Sequence, residues 1–239
     1  MLSVIILAAG KGTRMNDSNL PKVCRKVGNL TMIEHVKKAS QRLNPYKTIV
    51  IVSKENHDVI KNVLQEQEQE QDDSIIYIVQ EELNGTGSAV LSSESSYQNT
   101  DILVLLGDVP LIKTETMKKI IQSDNCCILG FQDDNIDNRF GRIVLNDANN
   151  ILKIVEYNDA TEEERRIKSV NSGILYLNKR YTHFLHEIDN NNSKSEYYLT
   201  DIIKILTRNN IDITYIEASK NECMGVNSPT DLKLVNELI

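Results

Sequence analysis

The segment most informative about the fold lies near the N-terminus: Ser3-Val4-Ile5-Ile6-Leu7-Ala8-Ala9-Gly10-Lys11-Gly12-Thr13-Arg14-Met15. Residues 3–8 are typical of a buried strand because residues 4–8 are all apolar, and a glycine-rich turn follows directly. Glycines let backbone N–H groups approach an anion, and the guanidinium of Arg14 adds a charged fork, so the turn predicts a phosphate-binding loop. It is neither a Walker A loop, which needs Lys-Ser/Thr after the last glycine, nor a dinucleotide fingerprint, because Met15 replaces the third glycine. A plain strand-exit turn is the alternative interpretation.

Short apolar runs alternate with amphipathic stretches along the chain. This alternation predicts repeated βαβ units, and therefore an α/β fold with a mainly parallel central sheet and flanking helices. Capping patterns mark helix starts at Thr31 and at Ser228-Pro229. The runs after residue 130 are expected to complete the sheet and to form the second wall of a cleft. The predicted strands cover residues 3–8, 48–52, 75–79, 102–106, 140–145, 151–155 and 170–177.

Length and composition narrow the function classes. The 239 residues suffice for one α/β domain with a full core. A formal net charge of -7 argues against a nucleic-acid partner, because phosphate backbones are held mainly by clustered Lys and Arg. No run approaches the roughly 20 apolar residues that a membrane helix needs, so no membrane partner and a cytoplasmic location are expected. The cysteines show no metal-ligand spacing, and reduced thiols are expected at Cys24, Cys126, Cys127 and Cys223.

Polar residues follow the predicted strands, where open parallel sheets bind their ligands. Asp108 comes after the apolar run 102–106 and Gly107, and Asn227 lies just before the last predicted helix. Mg²⁺ typically takes one or two protein oxygens and keeps phosphates and water for the rest, so these two residues form a candidate magnesium site. Lys22, after Pro21, is expected to return to the same strand end and hold a second phosphate. The alternatives are a turn carboxylate, a turn asparagine and a solvated lysine.

Gln80 and the segment Gly85-Thr86-Gly87 form a third group of candidate binding residues after a predicted strand. Glycine allows the backbone to approach a ligand closely, and a side-chain amide both donates and accepts hydrogen bonds. Together they suit the polar edge of a pyrimidine base. The sequence therefore predicts a nucleoside-binding site here.

A series of ordered motifs runs along nearly the whole chain: Leu7-Ala8-Ala9-Gly10-x-Gly12-Thr13-Arg14-Met15, Pro21-Lys22-Val23, Gln80 with Gly85-Thr86-Gly87, Gly107-Asp108-Val109-Pro110-Leu111, Gly141-Arg142-Ile143, Ile154-Val155-Glu156, Val170-Asn171-Ser172-Gly173, Glu196-Tyr197-Tyr198-Leu199-Thr200-Asp201 and Gly225-Val226-Asn227. They resemble the uridylyltransferase domain of the bacterial N-acetylglucosamine-1-phosphate uridyltransferase family. The resemblance implies a Rossmann-like nucleotide-diphospho-sugar transferase fold. It also implies a single domain, 1–239, with a nucleotide-binding half at about 1–130, a sugar-binding half at about 131–227 and a C-terminal helix at 228–239.

The resemblance further implies an enzyme that joins UTP to N-acetylglucosamine 1-phosphate with Mg²⁺ as cofactor. Arg14 and Lys22 would hold the triphosphate, and Asp108 with Asn227 would bind the metal ion. Asp108 would be catalytic together with Arg14 and Lys22. The implied nucleotide-binding residues are Leu7, Ala8, Ala9, Gly10, Gly12, Thr13, Gln80, Gly85 and Thr86. The implied sugar-binding residues are Gly141, Glu156, Asn171, Tyr198 and Thr200, with Thr86 also lining the sugar site.

The chain departs from the family pattern in places. No hexapeptide repeats follow the last motif, so acetyltransferase activity is not expected, and a monomer or small homo-oligomer is. Asn158 stands where a lysine is expected, which predicts loose binding of the sugar phosphate unless another cation, such as Lys153 or Lys168, replaces it. Ser88 and Ser195 stand where a histidine and a glycine are common. The alternatives are a thymidylyl-, cytidylyl- or guanylyltransferase of the same fold, and a non-catalytic nucleotide-sugar sensor.

Overall fold

The computed structural model describes residues 1–10, 12, 15, 20–65, 75–148 and 150–239. The candidate site residues Thr13 and Arg14 lie outside these ranges. The strands are β1 (Leu2–Leu7), β2 (Lys26–Val27), β3 (Leu30–Thr31), β4 (Lys47–Val52), β5 (Ile75–Val79), β6 (Asp101–Leu106), β7 (Cys126–Gln132), β8 (Arg142–Leu145), β9 (Ile151–Val155), β10 (Ser169–Leu177) and β11 (Ile213–Glu217). The α-helices are α1 (Met32–Gln41), α2 (His57–Gln65), α3 (Thr86–Leu91), α4 (Glu94–Tyr97), α5 (Thr114–Ile120), α6 (Glu162–Arg165), α7 (Asp201–Arg208) and α8 (Pro229–Glu237). Two 3₁₀ helices span Lys22–Cys24 and Lys179–Glu187.

The central sheet has the strand order β11-β7-β10-β6-β1-β4-β5, with β8 and β9 attached to it through β10. β1 pairs in parallel with both β4 and β6, and β4 pairs in parallel with β5. β10 runs antiparallel between β6 and β7, while β11 is parallel to β7. The predicted α/β fold with a mainly parallel sheet is confirmed. The antiparallel pairs of this sheet are those of β10 with β6, β7 and β8, and that of β8 with β9.

The sheet is buried on both faces because helices cover each side. Val4 and Ile6 of β1 pack into the core on one face, while Ile5 between them packs into the core on the other. All three residues have 0% exposure, which explains the unbroken apolar run in the sequence. The central position of β1 places Ala8, Ala9 and Gly10, which follow it, near the middle of one edge of the sheet.

The predicted strand starting at residue 140 begins two residues later, at Arg142 of β8. Arg142 is fully buried, and its guanidinium donates hydrogen bonds to the backbone oxygens of Ile136, Asn138 and Phe140. Residues 136–140 therefore curl around this side chain. A buried guanidinium that collects carbonyl groups in this way satisfies its donors without a carboxylate.

The two predicted helix starts are confirmed. Thr31 and Glu34 form a capping box at α1, and Ser228 and Asp231 form one at α8, where Pro229 occupies the first turn. α8 packs through Val235 on a small cluster that includes Val27, Met32 and Val226. This contact fixes the position of the segment that leads into α8.

The four cysteines are free and buried, as expected. Burial raises the pKa of the Cys24, Cys127 and Cys223 thiols to about 12, so these groups stay protonated at neutral pH. Within the described ranges, none of the helices has the length and apolar character required to cross a bilayer.

Candidate active site

A cleft opens at the carboxyl ends of β1, β4 and β6. It is lined by the residues that follow β1, by Gln80 after β5 and by Asp108 after β6. Gly107 lets the two central strand ends approach: its N–H donates to the Leu7 oxygen at 2.9 Å, and a Cβ on it would lie 3.1 Å from that oxygen. The predicted nucleotide-binding residues Leu7, Ala8, Ala9 and Gly10 line this cleft.

Lys22, Asp108 and Asn227 meet at the centre of the site. The Lys22 ammonium contacts Asp108 Oδ2 and donates to Asn227 Oδ1 at 2.9 Å. The backbone joins the same elements, because the Val226 N–H donates to the Asp108 carbonyl oxygen at 2.9 Å. The side chains of Lys22 and Asp108 are only 12% and 17% exposed, so this cluster lies in a partly desolvated part of the cleft.

The Asn227 amide is held in one orientation. Its Nδ2 donates to the Gly225 oxygen at 3.3 Å, and its backbone N–H donates to Asp231 Oδ2 at 2.9 Å. Asn227 Oδ1 and a carboxylate oxygen of Asp108 therefore converge on one cation, the Lys22 ammonium. Two oxygens converging on a positive charge are a donor set that also fits Mg²⁺, which prefers oxygen ligands.

Gly12, in the stretch after β1, lies against Lys22 of this cluster. It has φ +60, and a Cβ on it would lie 2.8 Å from the Cβ of Lys22. The left-handed backbone and the lack of space both favour glycine.

Gln80 and Gly85 form the far wall of the cleft. Gln80 Nε2 donates to the Gly85 oxygen and to Ser88 Oγ, both at 3.0 Å. Gly85 has φ +130, and a Cβ on it would lie 2.3 Å from the Tyr197 carbonyl oxygen. The N–H groups of Gly87 and Tyr197 pair with the oxygens of Tyr197 and Asn84, each at 2.8 Å. This loop is therefore docked on the segment around Tyr197, which carries the predicted sugar-binding residues Tyr198 and Thr200.

Most of the predicted sugar-binding residues lie together on the other side of Asp108: Thr86, Gly141, Glu156, Asn171 and Thr200. Thr200 Oγ1 donates to Glu156 Oε1 at 2.9 Å. Burial raises the pKa of the Glu156 carboxyl, while the Thr200 hydroxyl and the charge of Lys194 oppose that rise. Glu156 also lines the part of the cleft formed by Gln80 and Gly85, and Tyr198 lines that part and not the part around Asn171.

Two cations of the cleft are not among the residues singled out from the sequence. Lys194 lines the wall with Lys22 and Glu156, and Arg139 lines the wall around Asn171. Lys194 precedes Glu196-Tyr197 in a polar, Asn-rich segment typical of a surface loop, so the sequence carries no signal that it faces a site. Arg139 is exposed and precedes the Gly141 motif, which is the one hint to its position.

The two lysines considered as replacements for the lysine expected at position 158 point to other partners. Lys153 Nζ pairs with Glu164 at 2.8 Å, and Lys168 Nζ pairs with Asp134 at 2.7 Å. Asn158 itself is exposed in the turn after β9. Of these three lysines, Lys194 is the one that lines the cleft beside Glu156.

Comparison with known proteins identifies the family. A family model described as nucleotidyl transferase matches residues 3–222. The bifunctional protein GlmU of Streptococcus mutans is 39% identical over 232 residues, covering 93% of this chain and 48% of that protein. GlmU of Ruegeria sp. is 34% identical, covering 96% of this chain and 51% of that protein. The chain thus spans about half the length of the curated relatives it matches.

A solved structure from Bacillus anthracis, described as a glucose-1-phosphate thymidylyltransferase in complex with sucrose, has a TM-score of 0.76. It is 22% identical in sequence, and the match covers 100% of this chain and 95% of that one. At that identity the likeness speaks for the fold alone, and it agrees with the α/β architecture described above. The family match over residues 3–222 goes further: the chain belongs to the nucleotidyl transferase family and is a nucleotidyltransferase.

Proposed function

We propose that this nucleotidyltransferase joins UTP to N-acetylglucosamine 1-phosphate, forming UDP-N-acetylglucosamine and releasing pyrophosphate. The observation that carries the proposal is the order of groups along one cleft. Gln80 and Gly85 line one part of the cleft, Asn171 and Thr200 line the other, and Asp108, which contacts Lys22, lines both. This order matches a base, a group of phosphates and a sugar placed in sequence.

The Gln80 amide supports uracil as the base. Both donors of its Nε2 are directed to Gly85 and Ser88, so its carbonyl oxygen is the atom left to face a ligand. Uracil offers the N3–H group as a donor to such an acceptor, whereas cytosine has an acceptor at the same ring position. The Gln80 carbonyl oxygen therefore favours uracil over cytosine as the bound base.

The reaction needs no nucleophile or general base from the protein, because a sugar phosphate is already ionised at neutral pH. An oxygen of the sugar phosphate attacks the α-phosphorus of UTP in line. The bond from that phosphorus to the bridging oxygen breaks, and pyrophosphate leaves with the electron pair. The protein aligns the two substrates and neutralises their charges, which are the usual sources of rate in phosphoryl-type transfer.

Each charged group has a proposed task in this step. Asp108 and Asn227 would hold Mg²⁺, which supplies charge neutralisation where the two phosphate-bearing substrates meet. Lys22 and Arg14 would hold the triphosphate and stabilise the departing pyrophosphate. Glu156 and Thr200 would bind hydroxyl groups of the sugar and so orient its phosphate toward the α-phosphorus.

Glu156→Gln tests the sugar site through stability as well as activity. Burial raises the folded-state pKa of Glu156, so folding favours its protonated form, and that favourable contribution is lost as the pH rises through the folded pKa. The glutamine variant should therefore melt at a higher temperature than the native protein at neutral pH, with the difference closing as the pH falls. Because a hydrogen bond to a charged group contributes about 1.5–3 kcal/mol, the sugar-phosphate KM should rise roughly tenfold or more.

Equal melting temperatures at neutral pH, with an unchanged sugar-phosphate KM, would remove Glu156 from the sugar site. The UTP KM, measured in the same assays, serves as the internal control and should change little. Thermal melting curves recorded across the acidic and neutral range supply the stability comparison.

Lys194→Met tests whether this lysine supplies the charge that Asn158 lacks. The variant should bind the sugar phosphate about three- to tenfold more weakly, an effect reduced by the solvent exposure of the lysine. The matched control is Lys168→Met, since Lys168 is also exposed but pairs with Asp134. Steady-state kinetics with sugar phosphate varied at saturating UTP measure both. Equal KM values for the two variants would show that Lys194 does not bind this substrate.

A further inference from the structure

The ammonium of Lys22 lies where the proposed function places a divalent cation. It contacts Asp108 Oδ2 and donates to Asn227 Oδ1 at 2.9 Å. Both oxygens that would bind a metal ion are therefore directed at a positive charge carried by the chain itself. The Lys22 side chain is only 12% exposed, so its ammonium is held in the cleft rather than extended into solvent.

Asp108 Oδ2 and Asn227 Oδ1 cannot bind the Lys22 ammonium and a divalent ion at the same time. A divalent ion bound to Asp108 and Asn227 would stand within a few ångströms of the ammonium, where like charges repel strongly in a partly desolvated site. Lysine has a flexible four-carbon stem, so its ammonium can move while its backbone stays in place. Val23 and Cys24, which follow in the same 3₁₀ helix, are buried and anchor that backbone.

The displaced ammonium needs a new anionic partner. Lys22 lines the same cleft as Ala8, Ala9 and Gly10, the loop proposed to bind nucleotide phosphates. The triphosphate of a bound nucleotide would supply that partner a short distance away. Metal binding and the transfer of Lys22 to the phosphates would then favour each other.

We propose that Lys22 competes with the metal ion for Asp108 and Asn227, and so makes metal binding depend on the nucleoside triphosphate. The inference rests on the proposed function, because it takes Asp108 and Asn227 as the metal-binding residues. By linkage, the metal ion strengthens nucleotide binding by the same factor by which the nucleotide strengthens metal binding. Lys22 thereby has two successive partners, the two oxygens first and the phosphates afterwards.

The test measures the dissociation constant of Mn²⁺, used alone as the probe, by calorimetry and electron paramagnetic resonance without nucleotide or sugar. Lys22→Met should bind Mn²⁺ roughly tenfold or more tightly than the native chain, since a charge-assisted contact no longer competes. Lys194→Met is the matched control: it removes a positive charge from the same cleft, and Lys194 is not part of the cluster around Asp108. An unchanged or weaker affinity in Lys22→Met, or an equal gain in Lys194→Met, would overturn the proposal.

Two further variants keep the result interpretable. Lys22→Gln removes the charge and keeps a polar side chain, and it replaces Lys22→Met should the melting curve show that the methionine variant is unfolded. The double variant Lys22→Met/Asp108→Asn should lose the gain in Mn²⁺ affinity, because the gain requires the carboxylate. A gain that persists without Asp108 would place the Mn²⁺ elsewhere and overturn the proposal.

These outcomes are separable from those of the proposed function. A preference for another base or another sugar would leave the Mn²⁺ affinities untouched. Mn²⁺ binding of equal strength to the native chain and to Lys22→Met would contradict the competition alone. Absence of Mn²⁺ binding to both would contradict the metal site and the competition together.

Discussion

Asp108→Asn should lower the turnover number by about 10²–10³-fold, since losing one preorganised electrostatic contact costs about 3–4 kcal/mol. The substitution keeps the size of the side chain and removes the charge that faces the cation in the cleft. Asp108 lies after β6 and shares the Lys22 ammonium with Asn227, so its carboxylate is at the point where two phosphate-bearing substrates would meet. Turnover is measured as pyrophosphate release at saturating substrates and Mg²⁺.

Asp212→Asn is the control for Asp108→Asn. Asp212 is an exposed residue just before β11, and its variant should keep native turnover. The Asp108 variant should also keep a folded, cooperative melting curve. Turnover close to the native value, together with a lowered melting temperature, would make Asp108 a structural turn residue instead.

Gly85→Ala should nearly abolish nucleotide binding and should destabilise the fold. A Cβ at this position would lie 2.3 Å from the Tyr197 oxygen and 2.6 Å from the Tyr197 nitrogen, and both are backbone atoms that cannot rotate away. The φ of +130 adds strain of about 1–3 kcal/mol for a residue with a side chain. Relief requires the loop to leave Tyr197, which would also move the Gly85 oxygen that holds Gln80.

Gly10→Ala separates this steric effect from glycine replacement in general. Among the described residues, a Cβ at Gly10 would have no neighbour within 4 Å, so that variant should keep the native melting temperature. Thermal melting and calorimetric titration with UDP measure both variants. A Gly85 variant with native stability and native UDP affinity would contradict the described packing of the loop on Tyr197.

The parts of the fold that were predictable from the sequence are encoded locally. The apolar runs at 48–52 and 102–106 correspond to β4 and β6, each extended by one residue, because strands buried on both faces need no alternation. The capping boxes at Thr31 and Ser228 were predictable for the same reason, since all their partners lie within one helical turn. The antiparallel insertion of β10 between β6 and β7 was not, because strand pairing between distant segments leaves no local pattern.

For the candidate site, too, features encoded locally were predictable, and contacts between distant segments were not. The sequence shows that Asp108 follows a predicted strand and that Asn227 precedes a predicted helix. These positions are sufficient to predict that both residues lie at one edge of the sheet. The contacts of Lys22 were not predictable, because they join residues 86 and 205 positions apart. The same holds for Lys194, whose loop is joined to the distant segment around Gly85 through the backbone of Tyr197. Arg14 lies outside the described residues, and its role stays a prediction.

Pyrophosphate release from a full panel of substrates measures directly whether this protein transfers a uridylyl group to N-acetylglucosamine 1-phosphate. The panel combines UTP, dTTP, CTP, GTP and ATP with the 1-phosphates of N-acetylglucosamine, glucosamine and glucose, at fixed Mg²⁺. We expect the highest kcat/KM for UTP with N-acetylglucosamine 1-phosphate. CTP should give little pyrophosphate release, because cytosine cannot donate a hydrogen bond from its N3 to the Gln80 oxygen. Release with CTP or dTTP and none with UTP would contradict the proposed function.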